Sequence, residues 1–300
     1  MLLISHGSTN QQITTLVDND LVWRVAPSDA YQARIGAEYV YNVLGKKTAG
    51  ILYSSTTWGV GLAQAFRESF EYLAGANTVI SYVSYPELQD WSTYDFKPHL
   101  NELFTGQPEA IYIASYVHDG TEITHDMFLG GYLNDDYSPQ FFSNDGPFGY
   151  DFILNGHPAI LDGMMGTLPT APLDDPNNSL FREKYSTRFG NAPITFTYHI
   201  YDAVYLIALA IQKAGSTQPA AIASALRAVS GAGTGANGTI INVNEFSKAK
   251  GIIASGGEIN YEGASGAIDF DTNGDPGSGK YLIWKVVGGD YSTEAIVDYP

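Results

Sequence analysis

The first half of the chain alternates short apolar runs with helix-like segments, and this alternation constrains the fold more than any other feature. The runs expected to form buried strands are residues 51–53, 79–83, 110–114 and 140–142. After the first run, apolar residues from Leu62 to Leu73 recur at helical spacing and Gly75 follows, which is typical of a helix and its end. Strands separated by helices and short connections predict an α/β fold with a parallel sheet flanked by helices.

The later part of the chain shows a different pattern, with helices expected at 180–189, 199–214 and 218–229. The helix at 199–214 is apolar nearly all round and is therefore expected to be buried. Residues 230–238 read SGAGTGANG without the Lys-Ser or Lys-Thr of a phosphate-binding loop, so they predict a flexible surface loop. Short strands are expected at 2–5, 281–287 and 294–297.

The charge balance excludes several classes of partner. The chain has 15 Lys and Arg against 32 Asp and Glu, a formal net charge of −17. We therefore expect no binding to nucleic acid, whose phosphates need clustered basic residues, or to an anionic membrane surface. The absence of cysteine excludes disulfides and thiolate metal sites.

Two further features concern the membrane. No apolar run approaches the length of a membrane span, so no membrane insertion is expected. The apolar start at residues 1–4 has no basic region before it and polar residues directly after it, unlike a signal peptide. If the protein is exported, we expect its leader to lie outside the numbered chain.

Residues 261–275, YEGASGAIDFDTNGD, admit two interpretations. Asp269, Asp271 and Asn273 alternate as in the first half of a calcium-binding EF-hand loop. However, Lys280 stands where the loop needs a bidentate glutamate, and a lysine would repel the ion. The interpretation we favour is a β-hairpin, with strands at 267–270 and 281–287 and a turn at 272–275, because Asn-Gly is a strong turn signal.

Polar and aromatic residues follow several of the expected strands. They are Ser8 and Thr9 after 2–5, Trp58 after 51–53, Tyr116 after 110–114 and Asp145 after 140–142. Because open parallel sheets bind ligands at the carboxyl ends of their strands, these residues are candidates for a ligand site. Local alternatives stay open: Ser8 and Thr9 as caps of a helix at 11–16, and Asp145 as an Asp-Gly turn residue. The alternatives for Trp58 and Tyr116 are a core and a surface position.

An enzymatic interpretation rests on His118, Glu122 and His125, which would share one helix face and could hold a metal ion. No HExxH sequence surrounds them, and the chain contains no GxSxG nucleophile elbow. We therefore expect no metal at either the histidine group or the acidic segment, no cofactor, and no catalysis.

The candidate residues, in their order along the chain, resemble the type I periplasmic solute-binding proteins, the branched-chain amino acid receptor family of ABC importers. The sequences VWRVAPSDAYQA at 22–33 and YHIYDAVYLIALAI at 198–211 and the late hairpin extend the resemblance over nearly the whole chain. It implies two Rossmann-like lobes, the first formed by residues 1–27 and 173–273, the second by 28–172 and 274–300. The chain would cross between the lobes near 26–28, 167–172 and 274–280.

Two departures from the family pattern stand out. His6 replaces a proline that is common in the family. The family's opening strand–helix units have no counterpart before Met1, so the first lobe is expected to be incomplete. We expect a chain extended upstream to be more stable and to bind more tightly.

The resemblance also implies roles for the candidate residues. Ser8, Thr9 and nearby amides would hold a ligand carboxylate, Asp145 would pair with its ammonium, and Trp58 and Tyr116 would line the interlobe cleft. The expected function is capture of a small polar solute, best an amino acid, in the periplasm or outside the cell, followed by lobe closure and delivery to an ABC permease. The alternatives are an amide, urea-like or aromatic-acid ligand, a ligand-sensing domain of the same fold, and a hydrolase that uses the His118 and His125 region.

Overall fold

The computed structural model describes residues 1–87, 93–170 and 174–299, and the chain divides into two compact units. Unit one comprises residues 1–28, 169–280 and 298–300, and unit two comprises residues 29–168 and 281–297. The lobe boundaries expected from the sequence stay a prediction, and the one at 172–173 lies outside the described residues.

The regular elements of the described chain alternate in type through most of its length. The strands are β1 (Leu3–Ser5), β2 (Val22–Arg24), β3 (Ala49–Ser54), β4 (Val79–Tyr85), β5 (Ala110–Ala114), β6 (Gln140–Ser143), β7 (Met165–Thr170), β8 (Thr239–Ile241), β9 (Ile259–Gly263), β10 (Gly266–Ala267), β11 (Gly279–Val287) and β12 (Asp290–Tyr299). The α-helices are α1 (Asp29–Glu38), α2 (Thr57–Ala74), α3 (Lys97–Leu103), α4 (Val117–Gly130), α5 (Tyr150–Asn155), α6 (Pro158–Leu161), α7 (Pro176–Phe189), α8 (Thr197–Ala214), α9 (Pro219–Val229) and α10 (Phe246–Ala254). Short 3-10 helices lie at Gln11–Thr15 and Gly233–Asn237, and a π-helical turn at Tyr39–Val43 continues α1.

Unit two is built on a seven-stranded sheet with the order β12-β11-β7-β6-β5-β3-β4, which confirms the expected α/β fold. The pairs from β4 to β7 are parallel, because each strand returns through a helix. The central strand β5 is buried along its whole length. The expected helix is α2, which presents Leu62, Phe66 and Phe70 to the core and ends at Gly75, whose φ is +105°.

The hairpin expected at 267–287 is wrong in its strand pairing. β10 has only two residues and pairs with β9, and the following turn is closed by a bridge between Phe270 and Pro276. The carboxylate of Asp271 accepts hydrogen bonds from backbone amides within the turn and keeps it tight. Pro276 has no N–H, so it cannot continue the backbone hydrogen bonds of a hairpin. β11 instead lies between β7 and β12, and Gly288 and Gly289 join it to β12 with φ values of 59° and 81°.

Unit one contains a parallel pair, β1 with β2, and a three-stranded sheet in the order β10-β9-β8. Its core joins α8 and α9 to these strands through Trp23, Leu206, Leu226 and Tyr261, all fully buried. The expected burial of α8 holds for one side of the helix only, because Leu206 is 0% exposed whereas Val204 is 64% exposed. An apolar sequence permits burial of every face, but only the faces that contact other elements are covered.

The glycine-rich segment 230–238 is a surface loop only in part, because Gly233, Ala236 and Asn237 are exposed whereas its first residues are packed. Ser230 and Gly231 are buried, and Ser230 forms a bridge with Asn260. A Cβ on Gly238 would lie 2.4 Å from the backbone carbon of Ile259. Glycine serves here to allow two backbones to approach each other.

Among the described residues, no helix combines the length and the apolar character that a membrane crossing requires.

Candidate functional site

Three of the candidate residues lie at the carboxyl ends of adjacent strands in unit two. Trp58 is in the first turn of α2 after β3, Tyr116 directly precedes α4 after β5, and Asp145 follows β6. β3, β5 and β6 are neighbouring parallel strands, so their ends meet at one edge of the sheet. The rings of Trp58 and Tyr116 stack, with centroids 4.5 Å apart and planes inclined by 26°.

Local capping fixes the two aromatic residues. The hydroxyl of Thr56 accepts a hydrogen bond from the amide of Gly59 at 3.0 Å, which caps α2 and places Trp58 in its first turn. The amide of Tyr116 donates to the carboxylate of Asp119 at 2.8 Å, which sets the start of α4. Trp58 is partly buried and Tyr116 is 45% exposed, so the pair forms an aromatic surface that solvent can reach.

The turn after β6 brings Asp145 to the same place. A Cβ on Gly146 would lie 2.6 Å from the ring of Trp58, so only glycine allows this close approach. The side chain that forms the turn is that of Asn144, whose oxygen accepts a hydrogen bond from the Gly146 amide at 2.8 Å. The carboxylate of Asp145 is therefore not used for the turn.

Asp145 is held by an amide that the sequence analysis missed. The Nε2 of Gln32 donates to the Asp145 Oδ1 at 2.7 Å and to the carbonyl oxygen of Thr167 at 3.3 Å. Gln32 is 1% exposed, and its Oε1 has no hydrogen-bond partner among the described residues. The sequence could have indicated Gln32, because it lies on the same helix face of α1 as Asp29 and Ala33, which are buried, and a buried polar residue needs a partner.

The environment of Asp145 suits a cationic ligand group. Burial raises the pKa of its carboxyl, while the hydrogen bonds from Gln32 and from its own backbone lower it. Within residues 1–87, 93–170 and 174–299, no Lys, Arg or His forms an ion pair with Asp145. We call Gln32, Trp58, Tyr116 and Asp145 the aromatic half-site.

Ser8 and Thr9 belong to unit one and lie in the loop that follows β1. Ser8 is exposed and Thr9 is 5% exposed. The amide of Ser8 donates to the hydroxyl of Ser5 at 2.9 Å. The alternative role as helix caps is wrong, because Asn10 caps the 3-10 helix by accepting from the Gln12 amide at 2.8 Å. We call residues 8–10 the hydroxyl loop.

The acidic segment and the histidine group have other partners. Asp271 accepts hydrogen bonds from the amides of Asn273 and Asp275 at 2.7 and 3.0 Å, and His125 Nε2 lies 2.8 Å from the carbonyl oxygen of Asn155. In the described part of the chain, no three His, Cys, Asp or Glu residues are grouped so that they could hold a metal ion. The expectation of a metal-free protein stays a prediction.

Comparison with known proteins assigns the family. The model of the periplasmic binding protein family matches residues 1–287. The chain belongs to this family, as a type I periplasmic binding protein of the branched-chain amino acid receptor group.

The matches to individual relatives have low sequence identity but extend over most of this chain. The chain is 28% identical over 312 residues to the chemotactic signal transduction system substrate-binding protein BasB of Halobacterium salinarum, which covers 99% of this chain and 66% of that protein. It is 25% identical over 228 residues to an amino acid binding protein of Pseudomonas aeruginosa, covering 76% of this chain and 58% of that protein. The chain thus spans less than two thirds of the length of these curated relatives.

The fold has solved counterparts. The crystal structure of the leucine binding protein LivK of Thermotoga maritima matches with a TM-score of 0.75 and 24% identity, covering 99% of this chain and 73% of that chain. This similarity supports the same α/β fold over the whole chain.

Proposed function

We propose that this protein captures an amino acid outside the cytoplasm and delivers it to an ABC permease. The observation that carries the proposal is the carboxylate of Asp145, which is partly buried near two stacked aromatic rings and forms no ion pair with any described residue. A partly desolvated carboxylate that has a hydrogen bond but no cationic partner is left with part of its charge uncompensated, and an incoming ammonium group would compensate it.

Each chemical group of an amino acid has a suitable counterpart. The ammonium would bind Asp145, and the side chain would pack on Trp58 and Tyr116 in the same half-site. The carboxylate would bind the hydroxyls of Ser8 and Thr9 in the hydroxyl loop of unit one. Hydroxyls and backbone amides are neutral donors that bind carboxylates without adding charge.

The proposed activity is binding without chemical conversion. Family membership supports this, since the family consists of solute-binding proteins. His118 is exposed on α4, and the ring of His125 contacts the Asn155 carbonyl and the ring of His157, which gives the hydrolase alternative no assembled site. The location outside the cytoplasm and the permease partner rest on the same membership.

A thermal-shift screen tests the proposal. The standard L-amino acids, their amides, urea-like compounds and aromatic acids would be tested separately, followed by calorimetry on each compound that raises the melting temperature. A ligand present at 100 times its Kd adds about 2.7 kcal/mol to the free energy of unfolding. We expect an L-amino acid to bind and its amide and N-acetyl derivatives to bind much more weakly. Preference for an uncharged amide or an aromatic acid would overturn the amino-acid assignment.

A second candidate function is ligand sensing, which the similarity to BasB supports. A sensor would present the same loaded protein to a membrane receptor rather than to a permease. Addition of the loaded protein to an ABC permease in proteoliposomes distinguishes the two. Stimulated ATP hydrolysis is expected for the importer, and an unchanged rate would favour the sensor.

A further inference from the structure

Arg24 lies at the end of β2, directly beside the hydroxyl loop. β1 and β2 pair in parallel with Ser5 opposite Arg24, so the loop that leaves β1 begins next to this side chain. Arg24 is 0% exposed, although an arginine is seldom fully buried without a partner. In a chain of net charge −17, a cation at this place invites the interpretation that it binds the ligand carboxylate directly.

The hydrogen bonds of Arg24 argue against that interpretation. The guanidinium carries five N–H donors. Nε donates to Asp275 Oδ1 at 2.6 Å, and Nη2 donates to Asp275 Oδ2 at 2.6 Å and to Thr14 Oγ1 at 2.7 Å. Nη1 donates to the carbonyl oxygens of Thr9 and Asn10 at 2.8 and 2.9 Å. Every donor is therefore engaged, and the charge is balanced by Asp275.

The ion pair itself is held from both sides. The Thr14 hydroxyl donates to Asp275 Oδ2 at 2.6 Å, and the backbone amide of Arg24 donates to the carbonyl oxygen of Gly274 at 3.0 Å. The Asp275 amide in turn donates to the carboxylate of Asp271 at 3.0 Å, within the tight turn at residues 271–275. Removal of one partner from such a buried ion pair is strongly destabilising, because the other charge is left uncompensated.

The hydrogen bonds of Arg24 also orient the backbone of the hydroxyl loop. The carbonyls of Thr9 and Asn10 point to the guanidinium, and the described chain contains no cis peptide bonds. In a trans peptide the N–H points opposite to the carbonyl, so the amides that follow these carbonyls point away from the buried cation. Ser8, whose carbonyl is 3.5 Å from Nη1, remains exposed at the start of the same segment.

We infer that Arg24 is a positioning residue, which fixes the hydroxyl loop so that Ser8 and Thr9 can bind the ligand carboxylate. The inference rests on the proposed function for the identity of the ligand. Arg24 binds the loop and not the solute. The turn that carries Asp275 serves as the anchor for this arrangement.

The first test needs no ligand. Arg24→Lys retains the charge but lacks the planar fork that reaches Asp275, Thr14 and the two carbonyls together. Amide hydrogen exchange in residues 8–12 is expected to accelerate at least tenfold in this variant, with exchange in α9 unchanged. Arg182→Lys, an exposed arginine of the same unit, is the matched control and should leave both segments unchanged. If residues 8–12 exchange as in the wild type, the inference is wrong.

The second test uses L-leucine and L-leucinamide, which differ only in the carboxylate. If L-leucine does not bind, the tightest amino acid of the screen and its amide replace them. Arg24→Lys should weaken the acid at least tenfold and the amide less than threefold. In the Ser8→Ala background its effect on the acid should fall below threefold, because the group it positions is gone. Equal losses for acid and amide, or additive effects of the two substitutions, would refute the positioning role.

A milder variant covers the case in which Arg24→Lys fails to fold. Thr14→Val removes one acceptor of the guanidinium and keeps the side-chain volume. The same selective loss for the acid is expected, at about threefold, and no loss would count against the inference. If no amino acid binds the wild type, the proposed function fails, while the exchange experiment still decides whether Arg24 fixes the loop.

Discussion

Replacing Asp145 with asparagine tests the half-site on which the proposed function depends. The substitution removes the charge but keeps an oxygen that can accept the 2.7 Å hydrogen bond from Gln32. Asp145 is partly buried and forms no ion pair with a described residue, so the ligand ammonium would lose the carboxylate that is proposed to bind it. Removal of one partner from a buried charge pair costs roughly 2–5 kcal/mol. This corresponds to an affinity about 30- to several thousand-fold weaker.

Calorimetry at pH 7 on the amino acid selected by the screen measures the change in Kd. Asp136→Asn is the matched control, because Asp136 lies in the same unit and is exposed. The control should bind within about twofold of the wild type, as surface substitutions usually change free energies by less than about 0.5 kcal/mol. Unfolding in urea confirms that both variants remain folded.

The pH dependence gives an independent check on the same residue. Burial raises the pKa of Asp145, and only its ionised form can pair with an ammonium group. As the pH falls through that raised pKa, the affinity of the wild type should decrease, whereas the affinity of Asp145→Asn should stay flat. A change in Kd below about threefold at pH 7, or parallel pH profiles of the two proteins, would remove Asp145 from the site.

Three further predictions concern affinity and stability. Trp58→Leu should weaken an amino acid with an apolar side chain roughly 2- to 13-fold, the value of one aromatic contact, with an unchanged Kd counting against the half-site. Burial raises the pKa of Asp202 to about 6 despite its hydrogen bonds from Ser265 and Tyr261. The folded state therefore binds this proton more tightly than the unfolded state does, and the resulting stability is lost as the pH rises through about 6. Between pH 5 and 7 the free energy of unfolding in urea should therefore fall by roughly 1 kcal/mol more in the wild type than in Asp202→Asn, and identical profiles would contradict this. Gly238→Ala should lower the melting temperature because its Cβ would meet the Ile259 backbone, whereas Gly251→Ala, in a helix with open space around it, should gain about 0.5–1 kcal/mol; equal effects of the two would refute the packing argument.

The sequence was sufficient for elements whose pattern is local and repeated. The strand β5 lies at the residues expected for it, and α2 contains the predicted apolar repeat from Leu62 and ends at the predicted Gly75, although it begins earlier, at Thr57. The alternation of strands and helices then required a parallel sheet, because a parallel strand can be reached only through a crossover.

The sequence did not predict the pairing of strands that are distant along the chain. The turn at Asn273 and Gly274 was recognised, yet β11 pairs with β7 and β12 instead of the segment before that turn. The elements β8, α10 and β9 were not anticipated, because each is short and the glycine-rich segment before them obscured their pattern. The exposed side of α8 was missed for a related reason, since sequence records hydrophobicity but not which neighbours are present.

The sequence by itself determined the α/β class, the family resemblance and the strand ends that carry Ser8, Thr9, Trp58, Tyr116 and Asp145. Only the tertiary structure decided how those ends are supported. Gln32 reaches Asp145 across 113 positions of the chain, and Arg24 reaches Asp275 across 251. The periodicity of a sequence indicates on which face of its helix or strand a residue lies. Hydrogen bonds between remote segments depend instead on how the whole chain packs.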